Sequence, residues 1–380
     1  MKSYDVIIVG RGFAALSTAW HLKRLGIRRI CLIGPTPTQD NCHSMLASCA
    51  FASLHDNITR AVHNLGPEVA KDLMFLARCG LFELTNHLER WSIDRALGQV
   101  IRLGLSEHET QEMKIATNWL SQNGYPAHHV EKPSHLKTCD SIQFDGAASI
   151  SFDSEALMKR LETNSACDVW PTDVILAEQL GNSMRLKTSN GQIFESELAV
   201  LACHQGIKSL LPILAPTLVN HADQSVEFDI QSGHLHTNQG DHVIAGHGQL
   251  WFTHSHKNKL RAGGARFMRP WAGVEATEAT ASPAISLNIK QTIEKLLGVK
   301  LSRPKSAVGF IELLACDELP IIGPMFGNSR FLIASGFMNS SLSFRLAAGR
   351  GLAEFITQGR SSTVSDSFLP RRLRSLPESS

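Results

Sequence analysis

The sequence has no stretch approaching the roughly 20 consecutive apolar residues that a membrane-spanning helix needs. It also lacks an excess of either charge, with 37 Lys and Arg against 35 Asp and Glu. A general electrostatic attraction to nucleic acid or to an anionic membrane is thereby excluded. The one basic run, Arg371-Arg372-Leu373-Arg374, reads as part of a solvated tail. None of the eight cysteines (Cys31, Cys42, Cys49, Cys79, Cys139, Cys167, Cys203 and Cys316) forms a C-x-x-C pair. That usage points to a reduced, cytoplasmic chain whose thiols pack as small apolar groups. Internal repeats are absent, and low complexity is confined to "RSSTVSD" and "LPESS".

What is present is 380 residues at 43% hydrophobic content, enough for a large core and two domains. The opening run "YDVIIVGRGFAALSTAWHL" goes from apolar strand to glycine turn to helix. Val6 to Val9 suits a strand buried on both faces of a parallel sheet. Because it contains glycines and a fold motif, it reads as a first strand and not as a secretory signal. In Gly10-x-Gly12-x-x-Ala15, Gly10 permits the tight turn, Gly12 leaves room for a pyrophosphate, and Ala15 lets helix and strand pack closely. The helix N-terminus then faces an anion with free N–H groups. The acid that usually closes the second strand and binds the adenosine ribose is missing, since "RRICLIG" ends in Gly34. Thr36, Thr38 and Asp40 in the following loop are the candidates to replace it.

Further along, residues 60–125 carry apolar residues at three- and four-residue steps and predict helix. Asp153 or Ser154 caps a helix through Ala156 to Leu161. Asn190-Gly191 marks a hairpin, and Leu198 to Ala202 is a second candidate for the buried parallel sheet. Residues 223–269 read as strand-rich. "ISLNIKQTIEKLLG" predicts a helix, "PIIG" and "FLIASG" strands, and "RLAAGRGLAEFITQG" a closing helix. The 17 histidines crowd at His234, His236, His242, His247, His254 and His256. Their H-x-H spacing puts two imidazoles on one face of a strand, but no Cys or carboxylate accompanies them at ligand spacing. They read as exposed strand positions, and no metal site is expected.

Three segments together resemble the D-amino acid oxidase superfamily of FAD-dependent oxidoreductases, the group that includes glycine and sarcosine oxidases. They are "VGRGFAALSTAWHLKRLG", "LWFTHSHKNKLRAGGARF" and "DELPIIGPMFGNSRFLIASGFMNSSLSFRLAAGRGLAEFI". The resemblance implies an α/β fold, a Rossmann-like FAD-binding domain with an inserted, largely antiparallel substrate domain. Residues 1–85, 145–215 and 315–365 are expected in the first, 86–144 and 216–314 in the second, and 366–380 in a tail. It implies FAD contacts at Gly10, Gly12, Ala14, Ala15, Ser44, Val174, Gly336, Asn339, Ser340, Ser341 and Leu342. Backbone N–H groups after Gly336 would meet the flavin N1/O2 edge. FAD is expected to be non-covalent, because Phe310 occupies the position of the linking cysteine and Cys316 adjoins Asp317.

The same resemblance implies oxidation of an amine or amino acid by hydride transfer to flavin N5, with the imine then hydrolysed. Partners are a small amine and O2 or another electron acceptor, with no nucleic acid. No catalytic dyad is legible. Candidate substrate contacts are Trp251, His254, Arg266 and Glu312, with Arg261 as an alternative. Arg261 and Arg266 differ by an odd number, so in a regular strand only one faces the site. Glu312 stands where some relatives carry a carboxylate-binding Arg, which favours a cationic amine. Departures at Gly34, at His204 in Ala202-Cys203-His204, and at Ser341 leave two alternatives: an accessory protein without turnover, and a tRNA-modifying aminomethyl oxidoreductase, against which the neutral charge balance counts.

Overall fold

A computed structural model describes residues 3–36, 48–131, 140–144, 148–230, 237–337 and 342–375. The opening apolar run forms strand Ser3–Val9, flanked in parallel by Ile30–Ile33 on one side and Ile193–Leu201 on the other. Its side chains alternate between two cores. Val6 and Ile8 join Leu16, Ala19, Leu346 and Leu352 under the helices of one face, while Ile7 and Val9 join Leu186, Leu201 and Leu210 on the other. Asp168–Trp170 and Asn328–Ser335 extend the parallel sheet at its two sides, and Ile321–Met325 adds an antiparallel edge. The Asn190-Gly191 turn joins Ser183–Thr188 to Ile193–Leu201 as expected, and Leu198 to Leu201 lie in the parallel register. Asp153 caps helix Ser154–Ser165 by accepting the Ala156 N–H.

Helices Phe13–Arg24, Pro67–Arg90, Ser154–Ser165 and Leu342–Gln358 contribute to the core on one face of this sheet. Their close approach depends on small residues. A Cβ on Gly349 would lie 2.4 Å from Ser17 Cβ, and the Ser17 hydroxyl donates to the Leu346 carbonyl at 2.9 Å. Gly80 meets the Ser343 backbone in the same way.

The second sheet has eight strands in the order Ser306–Ala315, Leu218–Asp229, Lys259–Gly264, Leu250–His254, His242–Ala245, Val100–Leu103, Ser141–Phe144 and Ala127–Val130. It is antiparallel apart from the parallel pair His242–Ala245 and Val100–Leu103. Val226, Phe228, Phe252, Leu260 and Ala262 face helix Pro283–Leu297 through Ile289 and Ile293. The opposite face is polar and carries Trp251 and Glu312 among the candidate substrate residues.

Three expectations need correction. Residues 60–125 are not all helical: after Ile58–Leu65 and Pro67–Arg90 come strands Arg95–Gly98 and Val100–Leu103, then helix Glu107–Gln122. The β-branched pair Val100 and Ile101 is drawn into the sheet by partners 40 and 140 residues away, which overrides the helical pattern. The C-terminal stretch is docked and not solvated over its described residues, 366–375. Phe368 and Leu373 are buried, and Arg372 grips Asp317 through two hydrogen bonds of 2.7 and 3.1 Å. Glu354 fastens the approach to it, accepting from the Ser361 hydroxyl and the Ser362 and Thr363 N–H groups. Of the crowded histidines, His242 and His254 are buried inside the second sheet, while His234 and His236 lie outside the described residues. The six described cysteines are free thiols, five of them at least partly buried and Cys316 exposed. No helix among the described residues is long and apolar enough to cross a membrane.

Gly349→Val should lower stability by about 1–3 kcal/mol, because the added Cβ forces the first and last helices apart. A urea midpoint unchanged from wild type would show that these helices yield freely.

Candidate active site

The carboxyl ends of Ser3–Val9, Ile30–Ile33, Ile193–Leu201 and Asn328–Ser335 share one edge of the parallel sheet, where open α/β sheets place their ligands. At that edge Gly10 turns with φ +117°, and a Cβ there would stand 2.2 Å from the Ala202 carbonyl oxygen. Gly10 N–H donates to Ile33 O, and Ala202 N–H to Val9 O, each at 2.8 Å. Strand ends meet here in a seam that admits no side chain. Helix Phe13–Arg24 starts from it with Gly12 as cap, no capping side chain and no acid in its first turn. Phe13, Ala14 and Ala15 are buried, so the free N–H groups of that turn face the edge of the sheet. Orphan donors beside a seam with no side chain fit a dinucleotide pyrophosphate.

Gly34 rests on Gly10, since a Cβ at Gly34 would lie 3.1 Å from the Gly10 backbone. Around it, Arg11 donates to Thr36 Oγ1 at 3.1 Å and pairs with Glu162 at 2.6 Å. Thr36, one of the residues considered for the ribose, is thus already engaged by Arg11. His204 takes a left-handed conformation (φ +53°), and burial pushes the neighbouring Cys203 thiol up to about 12.

The other end of the edge is Gly336, at φ +66°, where Asn328–Ser335 stops. Phe337 then bridges to Leu314 of the second sheet. That bridge joins the two sheets at the loop leading into Leu342–Gln358, with Leu342 buried. Ser44, Asn339, Ser340 and Ser341 lie outside the described residues.

Two residues before Leu314 on the same strand stands Glu312, opposite His221. His221, Asp223, Ser225 and Glu227 alternate along their strand toward one face, and cross-strand register adds Gly263 and Trp251 to it. Gly263 has no side chain because the Trp251 ring lies over it, 2.5 Å from where a Cβ would be. Arg266 follows Gly264 (φ +100°) and Ala265 (φ +57°), which turn the chain off the strand. Its guanidinium returns over the same face to 3.6 Å from Asp223 Oδ2 and donates to His221 Nδ1 at 3.3 Å.

Asp223 and Glu312 are both buried. Burial, with the Asp223 charge beside it, pushes the Glu312 carboxyl up to about 7, against the pull of Arg266 and Arg345. Burial likewise lifts Asp223 to about 6, opposed by Arg266 and a backbone N–H. Each of the two carboxyls thus keeps its proton to higher pH than a solvated one would.

The family model of FAD dependent oxidoreductases (DAO) matches residues 5–355. The chain belongs to this family. Its cofactor is FAD, and the protein is an oxidoreductase. Among solved structures, glycine oxidase from Geobacillus kaustophilus superposes with a TM-score of 0.77 at 14% identity, covering 97% of this chain and 98% of that one. L-proline dehydrogenase from P. horikoshii gives 0.77 at 13% identity, covering 98% of each chain. L-amino acid deaminase from Proteus myxofaciens, in complex with anthranilate, gives 0.77 at 13% over 98% of this chain and 94% of that one. At such identities the likeness is one of fold: a Rossmann-like FAD-binding domain with a largely antiparallel substrate domain. No curated protein sequence matches the chain.

In this flavoenzyme the candidate substrate residues do not all gather. Trp251, Arg266 and Glu312 share the polar face. His254, three residues after Trp251, points to the other face, where its ring meets the Thr237 carbonyl at 2.9 Å. Arg261 faces the site side but is committed to Glu227 and Ser48. The parity argument between Arg261 and Arg266 fails because the strand ends at Gly264. Val174 opens its strand and packs against the core beneath the parallel sheet. Asp223 and His221 were missed, although His-x-Asp-x-Ser-x-Glu beside Val226 and Phe228 is a legible two-residue alternation. Arg102 was missed as well. It is buried and donates to the carbonyls of Leu54, His55 and Asp56 at 2.7, 3.1 and 2.9 Å, fixing the segment beside the site.

Two outcomes are expected. Gly10→Ala should yield protein with little bound flavin, read from its visible absorbance, because the Cβ wedges open the Gly10–Ala202 seam. Full flavin content would show that the seam does not set the cofactor turn. Glu312→Gln should be more stable than wild type by about 1–3 kcal/mol near pH 8 and nearly equal to it near pH 4. The sign follows from the raised folded-state pKa: the protonated carboxyl's stabilisation is complete below about 4.5 and is lost as pH rises through about 7. A difference independent of pH would remove the buried-carboxyl account.

Proposed function

We propose that the protein oxidises a small amine or amino acid whose reacting nitrogen is bound by Asp223 and Glu312. When bound, FAD supplies the acceptor for the hydride leaving the carbon that bears this nitrogen. The turn from Gly10 through Gly12, Ala14 and Ala15 holds its pyrophosphate, with Val174 as a further contact. Gly336 and Leu342 stand on the flavin side, and the attachment is non-covalent. The names of the superposing proteins, a glycine oxidase, an L-proline dehydrogenase and an L-amino acid deaminase, support a substrate of this class.

The observation that carries the reading is the buried carboxyl pair beside the Leu314–Phe337 bridge. An amine enters as an ammonium ion, and its nitrogen must lose a proton before its lone pair can assist hydride departure. One ionised carboxylate of the pair holds the ammonium by a charge-assisted hydrogen bond, and Glu312 takes the proton as its partner. Arg266, at the end of its strand, orients the pair from the site side, while Trp251 walls the face and limits water. The resulting imine is hydrolysed by water, and electrons leave to O2 or to another acceptor.

The reading is tested by the pH dependence of kcat/KM with a cationic amine. In wild type it should rise with pH through about 7, because Glu312 must be ionised to accept the proton. Glu312→Gln should lose that limb and about 10²-fold in rate. A neutral, non-basic amine analogue should lose much less. Superimposable profiles, with equal losses for charged and neutral compounds, would refute the assignment.

A further inference from the structure

On the far side of the parallel sheet's helical layer, a second group of titratable side chains plays no part in this reaction. Helix Pro67–Arg90 presents Glu83 and His87 four residues apart on one face, at 7% and 2% exposure. Helix Phe13–Arg24 brings His21 against them, with Nε2 3.3 Å from Glu83 Oε2. One ligand atom from each of the three lies within 4.8 Å of the others. Nε2 of His87 is buried and meets no hydrogen-bond partner, an unusual condition for such an atom. The ring itself is held firmly. It stacks on Trp91 at 5.1 Å and 6°, and packs edge-on to Trp20 at 5.7 Å.

We propose that His21, Glu83 and His87 form a binding site for a divalent transition metal ion of the Zn2+ type, with water as the fourth ligand. Two imidazoles and one carboxylate favour Zn2+ over Mg2+ or Ca2+, which prefer oxygen.

The surroundings supply the outer contacts of a metal site. Arg350 donates to Glu83 Oε1 at 2.7 Å and to Glu354 at 2.9 Å, which fixes the carboxylate and leaves Oε2 toward His21. A groove of about 780 Å3, lined by Arg24, Asn86, Glu89 and Gln358, opens onto the three ligands and admits water. The positive charge of Arg24 and Arg90 is drawn onto the Trp20 ring, at 5.6 and 5.7 Å from its centroid. His21 sits nine residues beyond Gly12, about 13 Å along the helix axis, so the ion would brace the cofactor-bearing helix without touching the flavin.

The test uses the tag-free, FAD-loaded full chain, stripped with a chelator and desalted. Titration with ZnCl2 should show one ion per chain, and Zn2+ should raise Tm, reversibly with EDTA. Co2+ in its place should give the visible bands of a tetrahedral ion. His21→Gln, at a partly exposed position, should keep the Tm of the metal-free protein but lose the Zn2+-dependent rise and weaken Zn2+ binding by about 10²-fold or more. His247→Gln is the control, because His108, Glu112 and His247 form another, more exposed group of possible ligands. It should leave binding unchanged. No uptake of Zn2+, uptake equal in His21→Gln, or loss of uptake in His247→Gln would each overturn the assignment.

Discussion

The contact on which the rest of the site depends is backbone against backbone, Gly10 against the carbonyl of Ala202. It brings the ends of two parallel strands together with no side chain between them. From that seam the first helix starts at a fixed angle with its N–H groups unpaired and its first turn buried. Any side chain at Gly10 would push Ile193–Leu201 away, and with it Asn328–Ser335, which pairs to the same strand. The loop through Gly336 and Phe337 would then move relative to Leu314 and Glu312. The two sheets are therefore coupled through main chain, which deforms less readily than side-chain packing.

The second sheet solves a different problem. One of its faces is a hydrocarbon surface against helix Pro283–Leu297, and the other carries acids, an arginine and an aromatic wall. The strict alternation of a strand separates these roles without added structure. Asp223 and Glu312 are buried on that face, where water screens charge poorly, so their protonated forms are favoured. Lys259 and Arg261 neutralise Glu227 completely, at 2.7 and 2.9 Å. Asp223 accepts the Gln224 N–H at 2.7 Å and lies 3.6 Å from Arg266, and burial still raises both its carboxyl and that of Glu312. On one face, then, one carboxylate is held ionised by two cations while two others are pushed toward their protonated forms.

Much of this was legible in the residues. The glycine turn, the Asn190-Gly191 hairpin, the Asp153 cap and the closing helix all rest on local rules, and local rules survive folding. Strand Val100–Leu103 did not show because its partners are remote, and four residues without alternation carry little weight beside a helical stretch on either side. The docked C-terminus was hidden because Phe368 and Leu373 lie dispersed among serines and arginines. His254 could have been separated from Trp251 by parity alone. Asp223 was equally visible as one member of a period-two series. The grouping of His21 with Glu83 and His87 was beyond reach, since only the last two share a helix.

The hydrogen bond from Ser17 to the Leu346 carbonyl spans 329 residues of chain. On a ribosome adding about 5–20 residues per second, its two ends are born on the order of 20 to 60 s apart. Throughout that interval the first strand and helix exist without the closing helix, with Val6, Ile8, Leu16 and Ala19 uncovered. The nascent chain thus presents an apolar surface long before its own cover is made. Production of this protein is therefore sensitive to what shields that surface during synthesis, including cofactor supplied early and chaperones that bind exposed strands, even where the finished enzyme is stable.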